Sequence, residues 1–484
     1  MFGRCAAVSS WLNPFKKLTR KGRKGQGEMK KNLSQPLSSF KVLGIMLSAS
    51  LCSPISASNI PIIKRGNSIT MEADERHDRA VISTADDAVL AKLSCVEKGY
   101  YHDAFIHAMA KGVKGVGNNS SSTYGAAGRR NGASSMMEPI IRKGTHARVC
   151  AVDKAINAFL SLPLLEDAEA SNNKDRRQVV ILGAGRDTTY LRYRFGYLTG
   201  FEGKEIDWFE VDHPFVIEQK AKSWLKKCTP EGYVYNSKMN VATGDSYRAS
   251  FSKQQDGTDT NNSTYHLVGH DLRSSPDSLF QKLSDPFHGY NRAIPTIFVL
   301  ECLIMYLPDK ASWNLLQYLA NISDCNNKKD AFVAVALYDP ILGNDRFGQV
   351  MLENLQKRGI IGQKQKDGVQ NEPLSLERTR TLSDHLNKLK TCGFDIAVGC
   401  NMMDAYEHGI ISIDERRRAA RCEMLDELEE FVLLMRHYCL CLGAKGSGRY
   451  KSAATALCSV GKDSPIGFET GRCERQIALT TLCS

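Results

Sequence analysis

Residues 178 to 190 read Gln-Val-Val-Ile-Leu-Gly-Ala-Gly-Arg-Asp-Thr-Thr-Tyr, and this stretch constrains the chain more than any other. Val179 to Leu182 are a short apolar run, as expected of a strand buried on both faces. The run feeds directly into Gly183-Ala184-Gly185, where glycine lets the backbone turn sharply and approach a ligand closely, and then into an acid, Asp187. That order places a nucleotide-like ligand at a strand end. A dinucleotide fold continues to a third glycine, where a helix opens against the pyrophosphate. Here Thr188 holds that place, which disfavours pyrophosphate and favours a ligand without phosphates, such as S-adenosylmethionine.

Three more strand candidates end in polar residues in the same way. Ile206 to Val211 stops at Asp212, one βαβ unit downstream, where a carboxylate can accept both ribose hydroxyls. Tyr265 to Gly269 runs into His270-Asp271-Leu272, and Thr296 to Leu300 runs into Glu301-Cys302. An acid at one strand end is more often a cap or a salt-bridge partner. In an open parallel sheet, however, ligands bind outside the carboxyl ends of the strands, so four such ends should converge on one crevice.

Composition sets the outer bounds. A chain of 484 residues with 42% hydrophobic content can bury one large α/β core with appended segments. Its net charge of +11 suggests nucleic acid until it is located: residues 1 to 41 hold ten Lys or Arg against one acid, Glu28. The remainder is close to neutral and gives no argument for a nucleic-acid surface. Fifteen cysteines include no Cys-x-x-Cys pair, so neither a zinc site nor a disulfide framework is expected. Scattered thiols point to a reducing compartment. Lys30-Lys31, the apolar run Val42 to Leu51 and small residues through Ala57 have a signal-peptide layout, too short to span a membrane. This complicates the expectation of a cytoplasmic protein. Met29, Met46 and Met71 are alternative initiators.

Helical spacing of Val149, Val152, Ile156, Phe159 and Leu160 predicts a core-facing helix before the first strand, with Arg148 at its start. Phe347, Val350, Met351 and Leu355 predict a second, capped near Asp345 and ending near Gly359. Leu425, Leu428, Phe431, Val432 and Met435 predict a third. His437, Cys439 and Cys441 alternate in an apolar run that suits a final helix or strand. Gly115 to Ser135 reads as an inserted loop, and 167–177, 254–264 and 363–372 as polar joins.

The chain resembles the leucine carboxyl methyltransferases over roughly residues 80 to 450. The resemblance rests on Gly99-Tyr-Tyr-His-Asp103, His146-Ala-Arg-Val149, Leu182 to Thr188, Phe209-Glu-Val-Asp212, Asp271-Leu-Arg273, and Glu301-Cys302 with Tyr306. It also rests on Asp345-Arg-Phe-Gly-Gln349 with Glu353-Asn-Leu355, and on Met435 to Cys441. The resemblance implies a Rossmann-like class I S-adenosylmethionine-dependent methyltransferase fold with added helices. It divides the chain into an unmatched extension at 1–75, a methyltransferase domain at 76–450, and a poorly matched segment at 451–484 that closes the sheet. It implies S-adenosylmethionine as cofactor, held by Lys92, Arg148, Gly183, Asp212, Asp271, Leu272 and Glu301. It further implies that Tyr306 orients the acceptor, the C-terminal leucine carboxylate of the protein phosphatase 2A catalytic subunit, and that the enzyme is a monomer. Lys92 matches only through its spacing to Gly99-Tyr100. Leu337 to Pro340 replaces a more polar family stretch.

The chemistry is simple. A terminal carboxylate, with a pKa near about 3.5, is already ionised at neutral pH, so displacement at a sulfonium methyl needs no general base and no metal. Positioning and exclusion of water then carry the rate. Two other readings are a related methyltransferase acting on a tRNA-base or small-molecule carboxylate, and a non-catalytic phosphatase-binding protein. Intact Gly183, Asp212 and Glu301 argue against the latter.

Overall fold

The computed structural model describes residues 69–113, 137–164, 175–198, 204–254, 264–322, 331–361 and 372–477. The signal-like stretch, the insertion at 115–135 and most of the three polar joins lie outside the described residues. Among the described residues, ten strands form one sheet. They are β1 (Arg176–Leu182), β2 (Glu205–Asp212), β3 (Tyr233–Met239), β4 (Ser246–Lys253) and β5 (Thr264–Gly269), then β6 (Thr296–Glu301), β7 (Ala331–Pro340), β8 (Ile396–Asn401), β9 (Tyr438–Ser447) and β10 (Glu474–Ile477). Their order is β10-β8-β9-β7-β6-β1-β2-β5-β4-β3.

The central strands β5, β2, β1, β6 and β7 are parallel. β9 inserts antiparallel between β7 and β8. The run β5-β2-β1-β6-β7-β9-β8, parallel except for β9, is the class I methyltransferase arrangement expected from the sequence. Side chains alternate between two apolar layers: Val179 and Ile181 join one, Val180 and Leu182 the other. Strands covered on both faces read as unbroken apolar runs, which is why these were visible in the sequence.

Several elements depart from the sequence reading. Arg176 and Arg177 belong to β1 rather than to a loop; Arg177 is buried, donating to the Phe159 and Leu162 carbonyls at 2.6 Å each. The first helix spans Pro139–Leu160, so Arg148 lies in its middle and not at its start. The apolar stripe is interrupted upstream by Arg142 and His146, but both are buried and each is paired with a distant acid. Arg142 pairs with Glu423, and His146 Nε2 lies 2.7 Å from Glu415. The third helix is shorter, Leu428–Arg436; Leu428 is exposed, and Leu434, absent from the expected stripe, is buried beside Phe431 and Met435. The Asp345 cap holds: its side chain accepts from Gly348 N at 3.0 Å at the head of the helix Arg346–Lys357. In the His437–Cys441 run, His437 caps the preceding helix and the rest is the start of β9. The hairpin β3/β4, with its mostly exposed outer strand, and the edge strand β10 carry no apolar run that would announce them.

Candidate active site

Sheet register brings the predicted residues together. Leu182 of β1 pairs with Val211 of β2 and Leu300 of β6, so Gly183, Asp212 and Glu301 emerge side by side. Gly269 of β5 pairs with Asp212, which places Asp271 and Leu272 just beyond. Strand order reverses between β1 and β6, and a cavity opens at this switch point. All eight sequence candidates line it: Lys92, Arg148, Gly183, Asp212, Asp271, Leu272, Glu301 and Tyr306.

The glycine turn is shaped for close approach. Gly183 and Gly185 have φ of 73° and 47°, the left-handed region open to glycine at little cost. A Cβ on Gly183 would stand 3.1 Å from Leu303 Cδ1, filling the gap between the turn and the loop after β6. Asp212 braces the turn, accepting from Gly185 N and His213 N, each at 2.6 Å. Burial lifts its carboxyl above the ordinary value, against these two bonds. Each carboxylate oxygen keeps a further lone pair for a ligand hydroxyl.

At the other end lie two cations and two anions. Lys92 Nζ is 3.1 Å from Asp187 and 3.4 Å from Glu301, and Arg148 donates to Glu301 while stacking over Tyr338. Burial alone would push the Lys92 ammonium down, but Glu301 and Asp187 hold it above its ordinary value. Burial likewise opposes ionisation of both acids, and the neighbouring cations outweigh it. The quartet is neutral as a whole. An α-amino-acid zwitterion can therefore exchange partners with it without burying net charge.

Beyond the quartet, the cavity is walled by tyrosines. Tyr306 stands in the short 3₁₀ turn Ile304–Tyr306, reached through Cys302, whose φ of 53° is the one positive value outside glycine among the described residues. Tyr338 and Tyr438 stack at 5.6 Å, and the Tyr438 hydroxyl is buried with no hydrogen-bond partner. Burial raises the pKa of all three phenols, so each is a neutral hydrogen-bond donor at pH 7.

Sequence reasoning missed one whole wall. The helix Ile69–Glu97 lies across the cavity and contributes Asp78, Ile82, Ala85 and Ala88 as well as Lys92. Besides the Lys92 pairs, three ion pairs to arginines fasten it: Asp78 to Arg273 at 2.7 Å, Asp86 to Arg186 at 2.7 Å, and Asp87 to Arg358 at 2.5 Å. Arg273 also holds Asp271, and hydrogen bonds from it outweigh burial to keep that carboxyl below its ordinary pKa. The signal was present as Asp78, Asp86 and Asp87 in one helix, but their partners lie 100 or more residues away. His146, Cys150 and Glu415 also gather within ligand distance of one another, though none of them lines the cavity. Arg418 already neutralises Glu415, so the group reads as a joint between two helices.

A family model described as leucine carboxyl methyltransferase matches residues 80–320. Among curated relatives, the probable leucine carboxyl methyltransferase 1 of Caenorhabditis briggsae is 30% identical over 387 residues, 79% of this chain and 95% of that protein. The chain belongs to the leucine carboxyl methyltransferase family. Leucine carboxyl methyltransferase 1 of Emericella nidulans is 28% identical over 399 residues, covering 80% of this chain and 91% of that protein. The enzyme of that name from Rattus norvegicus is 28% identical over 369 residues, covering 76% and 91%. As a member of the leucine carboxyl methyltransferase family, this chain is an S-adenosylmethionine-dependent carboxyl methyltransferase. The donor set fits that cofactor: a neutral quartet for an amino-acid end, a braced glycine turn for its middle, and carboxylates at two strand ends for a nucleoside.

Proposed function

We propose that the chain transfers the methyl of S-adenosylmethionine to the α-carboxylate of the C-terminal leucine of the protein phosphatase 2A catalytic subunit, forming a methyl ester. The observation that carries this reading is the cavity itself, where a charge-balanced quartet adjoins a wall of neutral phenols. S-adenosylmethionine supplies an activated methyl on a sulfonium. In this reading Arg148 and Lys92 bind the methionine carboxylate, Arg148 through its fork and Lys92 as a point charge. Glu301 takes the ammonium, with Asp187 beside it. Gly183 admits the cofactor's middle, Asp212 accepts the ribose hydroxyls, Asp271 accepts from the adenine amino group, and Leu272 packs on the ring.

Tyr306 donates to the acceptor carboxylate and sets the angle at which one oxygen approaches. Tyr438, whose hydroxyl lacks a partner, lies beside it. The acceptor oxygen is anionic on arrival, so the protein need only orient it and strip its water, and orientation of this kind is worth effective molarities of roughly 10⁵ M or more.

The test is to incubate the purified protein with methyl-labelled S-adenosylmethionine and the phosphatase catalytic subunit, intact or lacking its terminal leucine. Base-labile label on the intact subunit alone is expected. Equal labelling of both would remove the substrate assignment, and labelling of neither, with cofactor still bound, would favour a tRNA-base or small-molecule acceptor.

A further inference from the structure

β10 runs antiparallel to β8 in the register Glu474↔Gly399 and Arg475↔Val398. One further step along that register sets Cys473 directly opposite Cys400. Opposed residues of an antiparallel pair share a face, with Cβ atoms about 4.5–5.5 Å apart. In a regular ladder such a pair has Cα atoms about 4.5–5.5 Å apart, inside the span a disulfide bridges, and the two thiols are within hydrogen-bonding reach of each other. Both side chains belong to the same apolar layer, Cys400 fully buried and Cys473 partly so. Cys439 and Cys441, with sulfurs 3.8 Å apart, lie in the other layer, so the sheet separates the two pairs.

We propose that Cys400 and Cys473 form a reversible dithiol–disulfide site that responds to peroxides and fastens the C-terminal strand to the sheet. Cys473 is the entry point because it alone of the pair reaches the surface. Its neighbour favours this: hydrogen bonding from Cys400 lowers the Cys473 pKa, while the same contact and burial raise that of Cys400. The Cys473 thiolate attacks one oxygen of hydrogen peroxide; an S–O bond forms, the O–O bond breaks, and hydroxide leaves. Cys400 sulfur then attacks the sulfenic sulfur. The S–S bond forms, the S–O bond breaks, and the departing hydroxide leaves as water with the Cys400 proton. Two thiols lose two electrons to one peroxide, which ends as two waters, and a dithiol reductant reverses the change.

The location gives the bond something to hold. β10 pairs with the sheet on one side through four residues. The segment leading to it packs Ile466 and Phe468 fully into the core and passes close enough to Gly409 that a Cβ there would meet Gly467 O at 2.3 Å. The loop closed by the bond contains β9, whose first residue, Tyr438, lines the active-site cavity. A cross-link spanning so long a loop removes much freedom from the unfolded chain.

The experiment uses the full chain, reduced, exposed to hydrogen peroxide, alkylated with N-ethylmaleimide and digested for peptide mass spectrometry, with thermal melting on matched samples. A peptide joining Cys400 to Cys473, lost on treatment with dithiothreitol, is expected together with a rise in Tm of several degrees. Cys473→Ser, a nearly isosteric change at a partly buried position, should abolish both the linked peptide and the Tm rise. Cys400 still alkylatable after peroxide while Cys473 is overoxidised, or Cys473 joined to a different cysteine, would overturn the proposal.

Discussion

Asp212 does two jobs in one position. It braces Gly185 N and His213 N, and it offers its remaining lone pairs to a ligand. Asp212→Ala removes both, so S-adenosylmethionine affinity should fall by about 1.5–3 kcal/mol in titration calorimetry, the range for losing hydrogen bonds to a charged group. Unchanged affinity in a folded variant would end the ribose assignment. Tyr306 and Arg148 should separate cleanly. Tyr306→Phe removes a donor to the acceptor and should lower kcat by roughly ten- to a hundred-fold with little change in cofactor affinity. Arg148→Ala leaves Glu301 with Lys92 alone and should raise the cofactor KM first. If both variants shift the same parameter, the division of the cavity into cofactor and acceptor ends is wrong.

At the scale of elements, β7 holds the group with the strongest consequence for pH. Asp339 is fully buried, and burial pushes its pKa from 3.8 to about 8, outweighing the Met305 backbone N–H and the Lys388 charge that favour the carboxylate. The folded state thus keeps a proton that the unfolded chain releases near pH 4. Its stabilising contribution is complete below that pH, declines as pH rises, and is gone once pH passes about 8. Asp339→Asn should therefore flatten the stability curve between these limits, by up to about 1.4 kcal/mol per pH unit, and be more stable than the parent at pH 8 and above. Parallel curves in denaturant titrations at several pH values would show that Asp339 is ionised in the fold.

The same element shows why some of the architecture was legible. β1, β2, β5 and β6 are covered on both faces, so each writes a mostly apolar run ending in a Gly or an acid, and those ends line the candidate cavity. β3 and β10 sit at sheet edges with one or both faces in water, and burial leaves no pattern there. Arg142 and His146 broke the apparent stripe of the helix Pro139–Leu160 because their partners, Glu423 and Glu415, come from near the other end of the chain. For the same reason the wall formed by Ile69–Glu97 was invisible apart from Lys92: its three arginine partners are set by tertiary structure, and a one-dimensional reading has no access to them.

Taken as a whole, the molecule divides unevenly between charge and chemistry. Residues 1 to 41 carry ten of its basic side chains against a single acid, whereas the cavity lining begins at Asp78 and the family match at residue 80. A chain starting at Met71 would shorten the helix Ile69–Glu97 by two residues at its N-terminal end, where the first turn's N–H groups have no intrahelical acceptor in any case. The three ion pairs that fasten this helix, at Asp78, Asp86 and Asp87, would all remain. Such a truncation should keep its cofactor affinity and its rate of methyl transfer, measured by calorimetry and by label incorporation. It should also lose the whole formal net charge of +11, because Lys64 and Arg65 go with the ten basic residues of the first 41, and elute earlier from a cation exchanger. Retained cofactor binding with lost transfer would place part of the acceptor's binding surface in the first 70 residues, and the boundary of the catalytic unit would have to move with it.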